Sequence, residues 1–418
     1  MPALRPENTA TLPLVQAPMS PTLTVLILST LLSLQPVTTD LYLPALPALT
    51  ESFAAPMTQA QLTLSALLLA FGISQLVWGP LSDRFGRRPI LLCGLSAYTL
   101  ASIGSALTPT MELLIAWRVV QGAAMGAVVM CARAIVRDLY TPVEGARIMS
   151  RALTGLGIIA GICPPLGGLL AGLFGWRTAL ATLAVFSAGC LWFMAVRFQE
   201  SLVSGNPRAL NPASLVRTWA LILRNPVFLT FAALSVASYG AMFTFLAGSS
   251  FVFIKVLGLS TIQYGFLLLV ASLFYIVGTV LCRRLLGRFG IRKTLAIAGV
   301  LSITGGTAMG LLAWAGVSSV WAIALPHFIF MIGHGIHQPC SQSGAIGPFP
   351  QAAGTASAMN GFLMMSVAFV MGGWMGTHMD GTVLPMTNGM WFWSVLLAGT
   401  AWTAVQKYGE PVHETAKP

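Results

Sequence analysis

Asp40 stands inside an apolar stretch, between Val37-Thr38-Thr39 and Leu41-Tyr42-Leu43. Of the 11 acids it alone does so. Glu7, Glu200, Glu410 and Glu414 fall in tails or a linker, while Glu51, Glu112 and Asp380 fall at outer loops or helix ends. Asp83, Asp138 and Glu144 fall at the opposite edge. An ionisable group in hydrocarbon is costly and marks function by default. Burial disfavours a charged carboxylate, and a carboxyl that releases its proton when its site opens to water performs proton coupling. The plainer alternative is a helix cap beside Pro44 and Pro47. Arg118 is the buried base that matches it. Both lie about seven residues from the outer end of their spans, roughly 10 Å at 1.5 Å per residue. Asp40 and Arg118 are therefore expected to share a cavity and couple to protons. The alternative for Arg118 is a structural role on the carbonyls of a neighbouring helix.

His327, His334 and His337 recur at separations of 7 and 3, near one helix face. A metal site there would want an acid or cysteine, and only Cys340 is close. A polar cavity face titrating near neutral pH, or interhelical hydrogen bonding, suits the three better, and His334 and His337 are cavity candidates. Gln35, Thr38, Thr39, Gln75, Gln338, Gln342 and Asn360 complete the short supply of polar groups in apolar stretches. No HExxH, GxSxG, phosphate-binding loop or pair of intramembrane acids occurs, so neither an enzyme nor an ATP-driven pump is expected. No cofactor is expected.

The elements that must position these residues follow from composition. Of 418 residues, 56% are hydrophobic and 8% charged, too few charges to cover a soluble domain. The chain reads as an all-α polytopic membrane protein. Spans of roughly 20 apolar residues fall at 22–47, 62–81, 89–107, 111–135, 150–173 and 177–196. A second set falls at 227–254, 262–282, 293–314, 320–341, 353–376 and 389–407. This gives an N-terminal tail (1–21), a six-helix bundle (22–196), a polar linker (197–225), a second six-helix bundle (226–408) and a C-terminal tail (409–418). The first tail is proline-rich, lacks a signal-peptide core and is expected to be disordered. The six cysteines read as small buried hydrophobes. Trp78, Trp176, Trp192, Trp321 and Trp402 suggest an interface belt.

The net charge of +11 is a topology signal, because its bases are divided among short loops and form no single nucleic-acid patch. Nineteen of 22 bases fall on one side, Arg177 and Lys255 on the other, and Arg118 within a span. By the positive-inside rule both termini are cytoplasmic. The halves also echo each other. Arg84-Phe85-Gly86-Arg87-Arg88 follows the second span, and Arg288-Phe289-Gly290-Ile291-Arg292 follows the eighth. Parallel six-span repeats are a common transporter plan, with substrate held between them near the midplane.

Several motifs carry a family resemblance. Gly79-Pro80-Leu81-Ser82-Asp83-Arg84-Phe85-Gly86-Arg87-Arg88 resembles the loop 2–3 motif of the major facilitator superfamily, and Arg118-Val119-Val120-Gln121-Gly122 resembles its span 4 motif. Asp40-Leu41-Tyr42-Leu43-Pro44-Ala45-Leu46-Pro47 is similar to the DxYLPxxP element of the proton-driven Bcr/CflA drug exporters, and Phe245 to Ser250 also resembles that group. Cys163-Pro164-Pro165-Leu166-Gly167-Gly168 resembles the span 5 antiporter motif, with cysteine replacing its first glycine. The glycines of this run offer a helix on which another backbone can pack closely.

The resemblance implies the major facilitator fold and a monomeric inner-membrane exporter of small amphipathic drugs, driven by a proton gradient. A transporter of a specific metabolite is the alternative. The resemblance also implies that the Asp83 loop docks against span 11 near Gly354-Thr355 as a latch, with Gly79, Arg84, Gly86, Arg87 and Arg88 around it. Arg87 or Arg88 would pair with Asp138. Gly287 stands where the second copy would need the acid, so the latch is expected to be asymmetric. Spans 1 and 7 face each other in the family, so Tyr42, Tyr239, Met242 and Phe243, with Gln35 and Thr39, are the remaining cavity candidates.

Overall fold

A computed structural model describes residues 19–140, 142–202, 210–349 and 352–409, and among these the chain is helical with no strand. Most of both tails, and part of the expected linker, lie outside the described residues. Ten helical stretches are long and apolar enough to cross a membrane. One of them, α11 (Thr261–Trp314), is two spans joined at Gly290, where φ is 72° and ψ 178°. The 19-residue α14 (Leu384–Trp402) supplies the twelfth, diluted in hydropathy by Asn388 and its tryptophans.

Span 1 is broken where the sequence reading drew one helix. It runs as α1 (Pro21–Leu32), α2 (Leu34–Asp40), a 3-10 turn (Leu43–Ala45) and α3 (Leu46–Phe53). Proline has no N–H for the helix ladder. Pro36 sits in the first turn of α2, and Pro44 and Pro47 stop the ladder just after Asp40. The break leaves Asp40 at a helix end, where the last carbonyls lack ladder partners.

The next five spans are α4 (Met57–Phe85), α5 (Arg87–Leu107), α6 (Met111–Leu139), α7 (Pro142–Phe174) and α8 (Trp176–Arg197). The expected linker is in part a helix, α9 (Pro212–Arg224), started by Asn211, whose side chain accepts from Ala213 N at 3.1 Å. The second set is α10 (Pro226–Phe251), α11, α12 (Val320–Ile346), α13 (Ala353–His378) and α14, followed by the short α15 (Ala404–Tyr408). Leu100, Leu107, Phe174, Val185 and Val370 stand outward and exposed, which suits lipid and would be a liability in water. Trp192, Trp321 and Trp402 lie on that surface, but Trp176 is buried, packed on Phe53 at a ring separation of 5.1 Å.

The sequence repeat is also a structural one. Gly86 (φ 101°) ends α4 and Gly290 (φ 72°) interrupts α11, both in the positive-φ region that side chains disfavour. Arg84 lies over the Phe85 ring at 5.4 Å, and Arg288 lies over the Phe289 ring at 5.3 Å. The end of the molecule that carries these turns is called the basic end below.

Candidate functional site

The break in span 1 aims Asp40 at the seam between the halves. Thr39 Oγ1 donates to its Oδ1 at 2.7 Å. The carboxyl borders a cavity of about 40 Å³ with Leu43, Pro164, Met242, Phe245 and His327. Span 1 and α7 of the first half, and α10, α11 and α12 of the second, thus line the space beside Asp40. The space suits a few waters and is far below the roughly 300–1,000 Å³ of a drug pocket.

Arg118 is fully buried but does not pair with Asp40. Its Nη2 donates to the Thr38 carbonyl (3.2 Å), its Nε to the Thr63 carbonyl (3.2 Å) and its Nη1 to Gln121 Oε1 (2.9 Å). The Tyr42 ring lies 4.3 Å from the guanidinium. The depths of the two residues agreed, but depth along a span does not fix azimuth. Arg118 points at α2 and α4 and ties the Thr38 carbonyl beside the break to the Thr63 carbonyl of α4. Asp40 points at the other half. The structural reading of Arg118 is the one this geometry matches.

A second cavity, of about 80 Å³, lies toward the basic end. Gln35 and Tyr239 line it, and Gln75, Gln338, Gln342 and Asn360 converge on it from three further spans. Arg133, read from sequence as a loop base, belongs to α6 and borders this cavity. Met242 lines the Asp40 cavity. Tyr42 and Phe243 are instead packed inside, Tyr42 Oη 2.8 Å from Thr63 Oγ1 and Phe243 near Gly372. The histidines part company along the helix axis, since seven residues carry His334 about 10 Å from the level of His327. His327 reaches the Asp40 cavity, stacked on Phe245 at 3.4 Å. His334 bonds Ser238 Oγ at 2.8 Å, and His337 is buried; neither borders the two cavities. No group of three or more metal-ligating side chains gathers among the described residues.

The seam is closed at both ends. At the end opposite the basic one, Glu51 pairs with Lys255 and Gln61 Nε2 donates to the Ala247 carbonyl. At the basic end Arg133 Nη1 donates to Ser357 Oγ at 3.1 Å. Between them the α7 glycines permit contact at backbone distance. A Cβ on Gly167 would lie 2.1 Å from the Leu41 oxygen, and one on Gly168 would lie 2.4 Å from the Thr261 oxygen of α11. Pro164 and Pro165 remain inside the helix.

The loop motif builds a charge cluster. Arg87 bonds Asp138 (Nε to Oδ2, 2.7 Å), Asp83 (Nη1 to Oδ1, 2.7 Å) and Ser82 Oγ (2.7 Å). Arg88 does not join it, donating instead to the Phe198 and Ala195 carbonyls at 2.9 and 3.0 Å. Glu200, read as a linker acid, accepts the Arg87 and Arg88 N–H groups at 2.9 and 3.0 Å and so caps α5. That role is invisible from sequence, since Glu200 lies over 110 residues from the helix it caps. Asp83 is held by Arg87 and Arg137 inside the first half, and has no bond to α13 among the described residues. The approach to α13 is made by α6 arginines: Arg133 at Ser357, and Arg137 Nη1 3.6 Å from the Cβ position at Gly354. In the second copy Ile291 replaces Arg87 and Gly287 replaces the acid, so this cluster cannot form there.

Among the described residues, apolar helices in two similar halves close around a seam that carries Asp40, the arrangement of a multi-pass membrane transporter. The family comparison agrees. The profile of the Major Facilitator Superfamily matches residues 28–373, and the chain belongs to that family. Multidrug resistance protein D of Escherichia coli is 31% identical over 325 residues, 77% of this chain and 80% of that one. A chloramphenicol resistance protein of Pseudomonas aeruginosa is 29% identical over 392 residues (91% and 86%). A bicyclomycin resistance protein homolog of Haemophilus influenzae is 25% identical over 364 residues (87% and 91%). These relatives place the chain with the Bcr/CflA group. A D-xylose-proton symporter shares the fold, with a TM-score of 0.71 at 17% identity over 92% of this chain and 98% of that one. The nucleoside transporter NupG, crystallised as a mutant, gives 0.69 at 15% over 93% and 100%.

Proposed function

We propose that this protein is a proton-coupled antiporter that exports small amphipathic drugs across the bacterial inner membrane by alternating access. The basic end faces the cytoplasm, as do both termini. Residues 22–196 and 226–408 are the two bundles that rock, joined by 197–225, and the protein works as a monomer with the proton gradient as its energy source. Relatives named for multidrug, chloramphenicol and bicyclomycin resistance support the drug reading.

The observation that carries the coupling is the placement of Asp40: a lone carboxyl at a helix break, bordering a cavity that both halves and the antiporter-motif proline line. Opening the seam toward either face changes the hydration of this carboxyl, and with it the balance between its protonated and charged forms. Proton binding and the direction of opening are then two sides of one equilibrium. Arg118 contributes by holding the break rigid, and the Asp83, Arg87 and Asp138 cluster holds the basic end of the first bundle. Gly79, Arg84, Gly86 and Arg88 keep that turn in shape, and Gly167 and Gly168 let α7 seal against spans 1 and 8.

Inverted vesicles carrying Asp40→Asn test this reading. The variant is expected in the membrane at native level, with proton-driven chloramphenicol accumulation abolished. Full gradient-driven accumulation by Asp40→Asn removes Asp40 from the mechanism.

A further inference from the structure

The cavity at the basic end has a chemical polarity that the Asp40 cavity lacks. Its walls carry Arg133 and the carboxamides of Gln35, Gln75, Gln338, Gln342 and Asn360, and no carboxylate borders it. Arg133, unlike the buried Arg118, is open to solvent. A guanidinium offers five N–H donors, and among the described residues Arg133 commits one, to Ser357 Oγ, leaving the others to water or a ligand. The same cavity carries acceptors. Asn360 is 3% exposed and donates through Nδ2 to Ser235 Oγ at 3.3 Å, which leaves its buried Oδ1 unpartnered. The Gln338 Oε1 is likewise buried and unpartnered. Buried polar atoms of this kind are costly unless something pairs them.

We propose that this cavity is a head-group subsite for substrates that carry a carboxylate beside an N–H or O–H donor, and that Arg133 selects them over cations. The carboxylate meets the guanidinium, and the donor meets the Asn360 and Gln338 oxygens. A permanent cation meets an unpaired positive charge, which disfavours it. The cavity, at about 80 Å³, has room for a head group alone. The apolar remainder of the substrate occupies the seam once the halves part. The inference rests on the exporter reading, because it takes the seam as the substrate path.

Equilibrium binding to the purified full-length protein at neutral pH tests it with three probes. These are N-acetylphenylalanine (a carboxylate beside an amide N–H), its methyl ester, and tetraphenylphosphonium. The native protein is expected to bind N-acetylphenylalanine at least tenfold more tightly than the ester, and tetraphenylphosphonium more weakly than either. Arg133→Gln is expected to bring the acid-to-ester ratio close to one, and Arg133→Lys to keep part of it. A native protein that fails to bind N-acetylphenylalanine, or prefers the ester or the cation, overturns the proposal. So does an Arg133→Gln variant that keeps the tenfold ratio. Proton-driven uptake of chloramphenicol into inverted vesicles separates the two readings. Uptake without carboxylate preference sinks the subsite and leaves the exporter standing. A tenfold ratio without driven uptake sinks the exporter and leaves the subsite.

Discussion

Replacing Arg87 with Met strands a charge, and the size of the effect can be worked from the contacts. The Arg87 side chain is 1% exposed, and its main partner Asp138 is 11% exposed. Removing one member of such a pair leaves an uncompensated buried charge and costs about 3–5 kcal/mol. The bond to Asp83, which is 40% exposed, adds at most about 1 kcal/mol after solvent screening. Asp138 retains Ser201 Oγ at 3.3 Å, which places the loss toward the lower end of that range. The double variant Arg87→Met/Asp138→Leu removes both charges and is expected within about 1 kcal/mol of the native protein. Arg87→Lys should fall between, since a point charge cannot reproduce the fork to both carboxylates. The protein supplies its own reporter, because Cys131, Cys163, Cys190, Cys282 and Cys340 are buried and free. A thiol-reactive dye therefore follows thermal unfolding in detergent, with midpoints ranked at one scan rate because such unfolding is irreversible. A double variant no more stable than Arg87→Met alone would falsify the stranded-charge account.

Two further outcomes concern the seam. Gly168→Val puts a branched side chain where even a Cβ lies 2.4 Å from the Thr261 carbonyl oxygen. The expected result is lost transport and faster labelling of Cys163, resolved by mass spectrometry, with an impermeant maleimide added from the periplasmic face; native labelling with native transport refutes the seal. At the same end, the exposed Glu51 to Lys255 pair is worth under about 1 kcal/mol, so Glu51→Gln should alter transport little. Cysteines at both positions should crosslink on oxidation and stop transport reversibly; failure to crosslink in any condition would show that these two helices do not meet there.

What the amino-acid order determines by itself is whatever depends on neighbours along the chain. Apolar run length decides which segments cross, and loop arginines decide which way they face. The repeated Arg-Phe-Gly needs only a glycine able to take positive φ, and both copies take it. The isolation of Asp40 was legible for the same reason, since one acid among apolar residues stands out without any fold. The tertiary structure decides azimuth and partnership. Asp40 and Arg118 sit at like depth yet turn to different neighbours, because packing against α2 and α4 fixes one and the seam fixes the other. The carboxamides of four spans become one polar cavity only when those spans are brought together. Arg133 changes from a topology marker to a cavity residue, and Glu200 from a linker acid to a helix cap. Each of these depends on contacts between residues tens to hundreds of positions apart. A span's sequence records that it is buried, and its neighbours in space decide what it is buried against.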